Sequence, residues 1–234
     1  MTYYDIHTHQ PARRPEDVAI ISVNVCDPHN PIEASANRIL SDSSSGSTGT
    51  DCFTEYYSVG IHPWDPDKKQ MKKVFEYASL PSVVAIGETG LDKVTAKNTL
   101  DLDRQRELFT AHIHLSEEIG KPLIIHCVKA WDELLHIRKT EKPAMPWIIH
   151  GFGGKEALAV QLLNAGLYLS FGIRRSHINA LKVAWESHHL LAETDNLNTD
   201  IRDVYKHIAK QLGITVHELS KEIFDFLTTF LPPI

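Results

Sequence analysis

"KPLIIHC", residues 121–127, is a short apolar run that ends on a histidine. "PWIIHGFGG", residues 146–154, repeats the arrangement, so that His126 and His150 occupy matching places. Neither run alternates apolar with polar residues. Uninterrupted apolar runs of this length suit parallel strands that are covered on both faces. A histidine after two isoleucines, taken singly, reads best as a satisfied core residue. Two of them closing two such runs ask for a common explanation.

Working outward, similar β-rich runs recur near Tyr3–His7, Val18–Val25, Tyr56–Gly60, Val83–Glu88, Leu123–His126, Trp147–His150, Leu167–Phe171 and Leu190–Glu193. Amphipathic stretches separate most of them. Leu108, Ala111, Leu115 and Ile119 form a helical stripe, with Gly120 placed to stop it. Leu158, Leu162 and Ala165 repeat the pattern before Gly166, and Ile201, Val204, Ile208 and Leu212 repeat it before Gly213. Thr215 and Glu218 have the spacing of a capping box, opening a last helix that buries Leu219, Ile223, Phe226 and Phe230. Strands alternating with helices in this way predict a (β/α)8 TIM barrel. The first crossover is too short for a full helix, so it is expected to be degenerate. "SDSSSGSTGTD", residues 41–51, reads as a flexible polar loop. An open doubly wound sheet is the competing α/β arrangement.

The totals agree with one domain over residues 1–234. The chain is 42% hydrophobic and 23% charged, an ordinary globular composition. A barrel domain takes about 250 residues. The net charge of −6 excludes a global basic field for nucleic acid, though not a small basic patch or a phosphate held by metal. Cys26, Cys52 and Cys127 are too few and too scattered for a disulfide framework, which favours a reduced, cytoplasmic setting. No apolar run is long enough to span a membrane, and no signal peptide opens the chain. No obligate protein partner is evident.

The chemistry gathers at the carboxyl ends of the expected strands. "YYDIHTHQP", residues 3–11, places His7 and His9 two apart, on one face of a strand. "SVGIHPW" supplies His62, "VVAIGETGLD" supplies Glu88 and Asp92, and "LLAETDN" supplies Glu193 and Asp195. In a barrel these ends converge on the face where active sites lie. Each residue has a plainer reading as core, helix cap or solvated loop. Four histidines and two carboxylates around one rim are not plausibly six such coincidences. Imidazoles and carboxylates suit zinc, manganese and related divalent ions. Six ligands exceed what one catalytic zinc takes, and suit a pair of ions roughly 3.5–4 Å apart.

"DIHTH", "GIHPW", "AIGETGLD", "QRELFTAHIHLSEEIGKPLIIHC", "IIHGFGG" and "AETD" occur in the order found in TatD-type metal-dependent hydrolases of the amidohydrolase superfamily, which the chain resembles over nearly its whole length. The resemblance implies a metal-binding barrel with one ion on His7, His9, Glu88 and Asp195. It implies a second on Glu88, His126 and His150, with Glu88 bridging. Zinc, magnesium and manganese all fit such a donor set. Glu88 and Asp195 would be the catalytic carboxylates, Asp195 orienting or deprotonating the attacking water. His62 would lie near the substrate's phosphate. Family members are commonly described as DNases, so DNA or another phosphodiester is the implied substrate.

The sequence departs from the family on the substrate side. Val128 and Lys129 follow Cys127 where an arginine is common, and Lys129 is the expected substitute, without the bidentate fork. "HGFGG" replaces the usual "HCFSG". "NLNTDIRD" replaces a longer proline-rich loop, leaving Arg202 as the stand-in for a substrate-binding arginine. Arg174 and Arg175 could reach phosphate from the rim. His112 and His114 are expected to be surface or partly packed residues of a helix, His188 and His189 to be structural, and Cys127 to face away from the metals. The nearest alternative function is an amidase, deacylase or lactonase using the same metals on a small carbonyl substrate. A PHP-type phosphoesterase also opens on "HxH", but "IGETGLD" and the late "ETD" argue against it. A decayed, non-catalytic metal-binding module would not need all six ligands.

Overall fold

The computed structural model describes residues 1–27, 32 and 56–230. The polar loop expected at residues 41–51 lies outside the described residues, as does Cys52. Eight strands form one parallel sheet in sequence order: β1 (Tyr4–Thr8), β2 (Val18–Asn24), β3 (Tyr56–Gly60), β4 (Val83–Asp92), β5 (Leu123–Val128), β6 (Trp147–Ile149), β7 (Leu167–Phe171) and β8 (Leu190–Ala192). The sheet then closes on itself. Thr8 and Asp195 make a parallel bridge, with Asp195 N–H donating to His7 O at 3.0 Å and His9 N–H donating to Asp195 O at 3.2 Å. The residues that seal the barrel are thus the opening histidine segment and the late aspartate.

Helices follow the later strands: α1 (Met71–Ala78), α2 (Thr99–Ile119), α3 (Trp131–Glu141), α4 (Glu156–Asn164), α5 (Ile178–Glu186), α6 (Ile201–Leu212) and α7 (Val216–Phe230). Residues 9–17, between β1 and β2, contain no helix, as the short first crossover requires. Two stops fall at the predicted glycines, while α4 ends at Asn164 with Ala165 as its cap, just before Gly166. Gly120 and Gly213 adopt left-handed φ of 68° and 71°, a region glycine enters freely. The capping box forms as read: Thr215 N–H donates to Glu218 Oε2 at 2.7 Å, and Glu218 N–H donates to Thr215 Oγ1 at 3.2 Å. Leu219, Ile223 and Phe226 are buried from α7, while Phe230 is only half-buried. Among the described residues, no helix is long and apolar enough to cross a membrane.

β4 runs four residues beyond the expected end at Glu88. After an irregularity between Ile86 and Thr89, it pairs Thr89 to Asp92 with Ile125 to Val128 of β5. Gly90 makes this possible. Its φ is +143°, and a Cβ there would lie 2.0 Å from His126 O, so any side chain would force the two strands apart. Because side chains alternate along a strand, the extension aims Glu88 and Asp92 at the same face.

Two further ties hold the site's supports. The Tyr205 hydroxyl of α6 donates to Tyr4 O at 3.0 Å and accepts from Tyr4 N–H at 3.2 Å, anchoring β1. His112 of α2 is fully buried, not at the surface. Its Nδ1–H donates to Leu108 O at 2.8 Å, and its Nε2 accepts from Ile61 N–H at 3.1 Å. The helix periodicity could not show that the loop after β3 would need an acceptor there. Burial pushes this imidazole down to about 4, so it stays neutral. His114, on the same helix, is exposed and pairs with Glu141.

Candidate metal centre

The six expected ligand positions come together at the carboxyl end of the barrel. Glu88 is the hub. Its Oε1 lies 2.9 Å from His62 Nε2, 3.0 Å from His126 Nδ1 and 2.8 Å from His150 Nε2. Its other oxygen lies 3.5 Å from His7 Nε2. Asp195 Oδ1 stands 3.8 Å from His7 Nε2 and 3.7 Å from His9 Nε2. Asp195, the residue that closes the barrel, holds a left-handed φ of 53°. His126 leaves β5 itself, whereas His150 lies one residue past β6 and is fixed by donating its N–H to Ile125 O at 3.1 Å.

Protons alone serve this cluster poorly. Three imidazole nitrogens face one carboxylate oxygen, and His126 Nδ1 is 3.2 Å from His150 Nε2, so both of those nitrogens cannot carry hydrogens. Both ring nitrogens of the fully buried His7 lack a hydrogen-bond partner, as do His150 Nδ1 and Glu193 Oε2. Buried polar atoms are almost always paired, and a cation is the partner that converging lone pairs accept. Groups of donors within 4.8 Å of one another are His7, His9, Asp195; His7, Glu88, His150; His62, Glu88, His126; and His150, Glu193, Asp195. The donor set therefore fits divalent metal.

The charges respond accordingly. Burial pushes the Glu88 carboxyl up, but the charge of His150 and the hydrogen bonding of the surrounding histidines outweigh it and hold Glu88 well below the usual range. Burial pushes His150 down, and Glu88 and Glu193 outweigh it in the opposite sense. Burial, and then His7, push His9 down. The shifts at Glu88 and His9 favour their unprotonated forms, in which they can serve as ligands, whereas His150 would have to give up a proton to bind metal.

Two carboxylates that the sequence placed at strand ends, without a role, stand behind the histidines. Asp92 Oδ2 accepts from His126 Nε2 at 3.2 Å and from Trp64 Nε1 at 2.8 Å. Asp92 Oδ1 accepts from the Val94 and Thr95 amides at 2.8 and 3.1 Å. Glu193 Oε1 accepts from Gly151 N–H at 2.7 Å and lies 3.6 Å from His150 Nδ1. The signal for Asp92 was its four-residue spacing from Glu88 in one strand. For Glu193 it was the two-residue spacing from Asp195.

A cleft of about 450 Å³ opens over the cluster, lined by His9, Ser22, Asn24, Asp27, His62, Trp64, Glu88, His126, His150, Asp195 and Asn196. His62 sits at its floor against Glu88. The other two expected substrate contacts are elsewhere. Arg202 is committed to β2's side of the barrel: its guanidinium donates to Asp17 at 3.0 Å and Glu16 at 2.7 Å, and stacks over Tyr3. Asp17, brought near only by the closed barrel, decides that placement. Lys129 is exposed at a left-handed φ of 53° between β5 and α3 and does not line the cleft. Arg174 and Arg175 are exposed in the loop after β7, outside the lining as well. Cys127 is buried on the opposite side of β5 from His126, and burial pushes its thiol up to about 12. His188 is exposed beside Glu222, and His189 packs on Tyr168.

A family model described as TatD related DNase matches residues 50–231. The chain belongs to the TatD family. The uncharacterized metal-dependent hydrolase YcfH of Escherichia coli (strain K12) is 31% identical over 189 residues, covering 72% of this chain and 71% of that protein. The protein named 3'-5' ssDNA/RNA exonuclease TatD from Klebsiella pneumoniae (strain 342) is 30% identical over 152 residues, 59% of this chain and 56% of that one. Among solved structures, the TatD homolog YJJV from Escherichia coli K12 superposes with a TM-score of 0.73 at 19% identity, over 99% of this chain and 98% of that one. A TatD family hydrolase from Entamoeba histolytica gives the same TM-score at 16% identity, again over 99% and 98%. These likenesses show the barrel fold of TatD proteins. Together with YcfH and the donor clusters, the family makes this chain a metal-dependent hydrolase.

Proposed function

We propose that this TatD-family chain is a phosphodiesterase acting on DNA through two divalent ions. His7, His9, Glu88 and Asp195 would hold one ion, and Glu88, His126 and His150 the other. The observation that carries the reading is the convergence of these side chains on Glu88 and Asp195 with lone pairs and buried nitrogens unpartnered. Bound there, divalent ions supply Lewis acidity, drawing charge from phosphoryl oxygens and acidifying water. The family description and the printed name of the Klebsiella relative support DNA as the substrate class.

The chain's own groups then have defined work. Asp195 reaches the cleft with its side chain about one-third exposed (34%), enough to take a proton from an attacking water while buried His7 backs it. Asp92 accepts from His126 Nε2, which leaves the Nδ1 lone pair facing Glu88. Glu193 steadies the turn that carries His150 by accepting from Gly151. His62 donates to Glu88 Oε1 and fixes that carboxylate. Ser22, Asn24 and Asn196 offer uncharged hydrogen-bonding groups along the cleft.

One observation favours a second reading. No Lys or Arg lines the cleft among the described residues, which would suit an uncharged carbonyl substrate of a deacylase or lactonase. A single panel separates the two. Protein charged in turn with Mg²⁺, Mn²⁺ and Zn²⁺ is offered bis(p-nitrophenyl) phosphate, a short single-stranded DNA, amides and lactones. Phosphodiester cleavage is expected. Turnover of carbonyl substrates alone would overturn the proposal.

A further inference from the structure

Trp64 combines exposure with fixity. It is 65% exposed, yet three contacts hold it. Its indole N–H donates to Asp92 Oδ2 at 2.8 Å, and its backbone N–H donates to His62 Nδ1 at 3.2 Å. Its ring meets His62 edge to face, with centroids 4.6 Å apart, and its centroid lies 6.0 Å from that of His126. The result is a rigid aromatic plane at the lip of the metal-binding cluster. The ring borders both the cleft and a neighbouring groove walled by the loops that follow β3 and β4. Packing does not account for an indole left in water at this place. The hydrogen bond to Asp92 does not account for it either, since a smaller donor would serve.

The charge of the surroundings gives the second observation. Among the described residues, the cleft offers no cationic side chain to successive phosphates. Of the four cations lining the neighbouring groove, Lys68 and Arg104 are engaged with Glu107 and Asp101, and Lys69 and Lys97 stand exposed outside the cleft. Inside the cleft, a nucleic acid is therefore not held along its backbone by lysines and arginines. Recognition inside the cleft, beyond the reacting phosphate, is left to uncharged side chains and to the exposed indole. Stacking of a base on an aromatic side chain is tolerant of sequence, because every base has a π face, and it changes affinity by about five- to 150-fold.

We propose that Trp64 is a base-stacking platform, so that the recognised element of the substrate is one unpaired nucleobase next to the scissile phosphodiester. The proposal rests on the phosphodiesterase reading above and adds the feature that the substrate must present. A base inside a duplex already has both faces covered by its neighbours. The base that stacks on Trp64 must therefore be unpaired, and its presence counts for more than its identity.

The test compares the Mn²⁺-charged wild-type protein with Trp64→Leu and Trp64→Phe. The substrates are a short oligothymidylate and versions in which one of the last three nucleotides is abasic. The readout is the ratio of kcat/KM for the intact strand to that for the abasic strand. Loss of the hydrogen bond to Asp92 would slow both substrates alike, so the ratio isolates stacking from positioning. Wild type is expected to prefer the intact strand by about five- to 150-fold at one abasic position. Trp64→Leu should bring that ratio close to one, and Trp64→Phe, which keeps a ring but no N–H, should retain most of it. A ratio of one in wild type, or a ratio unmoved by Trp64→Leu, overturns the stacking proposal alone. Failure of wild type to cleave any of these strands overturns the phosphodiesterase reading, and this proposal with it.

Discussion

Substituting Asp92 by asparagine should weaken metal binding without unfolding the protein. Both oxygens of this carboxylate accept two hydrogen bonds each, Oδ1 from the Val94 and Thr95 amides and Oδ2 from Trp64 Nε1 and His126 Nε2. An amide has one accepting oxygen and one donating nitrogen, so it can serve only one of these pairs. Turning its NH2 to the loop would orphan two backbone amides, at about 1–3 kcal/mol each. Turning its NH2 to the cleft strands an indole N–H that water can reach and deprives His126 Nε2 of its acceptor. The second orientation is cheaper, and the metal centre bears the consequence. His126 is then free to carry its hydrogen on Nδ1, which lies 3.0 Å from Glu88 Oε1 where a lone pair is needed. Loss of such an orienting partner lowers metal affinity about 10- to 100-fold, or about 1.4–2.7 kcal/mol. Competition with a chromophoric chelator measures the dissociation constant for Mn²⁺ or Zn²⁺, and a thermal melt of the metal-free protein reports the fold. A dissociation constant within about twofold of wild type, with an unchanged melt, would refute the assignment of His126's tautomer to Asp92.

Asp195→Asn and His126→Ala should each lower kcat by about two to four orders of magnitude while circular dichroism shows an intact fold; normal turnover in either variant contradicts the mechanism. His112→Leu removes the acceptor of the Ile61 amide and should cost about 1–3 kcal/mol in urea unfolding. Because the folded His112 titrates near 4, against about 6.5 unfolded, wild type loses stability as pH falls through that window. The gap between wild type and His112→Leu should therefore narrow on acidification, and a constant gap would count against a neutral buried imidazole. Asp5 behaves with the opposite slope. Burial pushes its carboxyl up to about 8, against hydrogen bonds from Thr194. Wild type then loses stability as pH rises from about 3.9 to about 8. Asp5→Asn should gain on wild type across that range, by up to ~1.4 kcal/mol per pH unit, and parallel pH–stability curves would rule this out.

Much of the barrel was legible because buried parallel strands need apolar residues on both faces, and such runs are visible without coordinates. Tyr56–Gly60 and Leu167–Phe171 have the expected bounds. Helix stops at Gly120 and Gly213 were equally plain, since left-handed backbone favours glycine. The end of β4 was not legible, because the Gly90 approach to His126 O involves two strands, and a single segment carries no trace of its neighbour's backbone. His112 was misjudged for a related reason. Its acceptor role answers a need of Ile61, fifty-one residues away.

The sequence by itself determined which strands end in histidines and carboxylates, because strand ends and residue types are local properties. Tertiary structure decided how those ends meet. Closure of β1 on the segment after β8 put Asp195 beside His7 and His9, and the extension of β4 put Asp92 behind His126. It also took Arg202 away to Asp17 and left Trp64 standing at the cleft. Distances between residues remote in the chain depend on barrel closure and on competition among partners, and neither is written in any one segment.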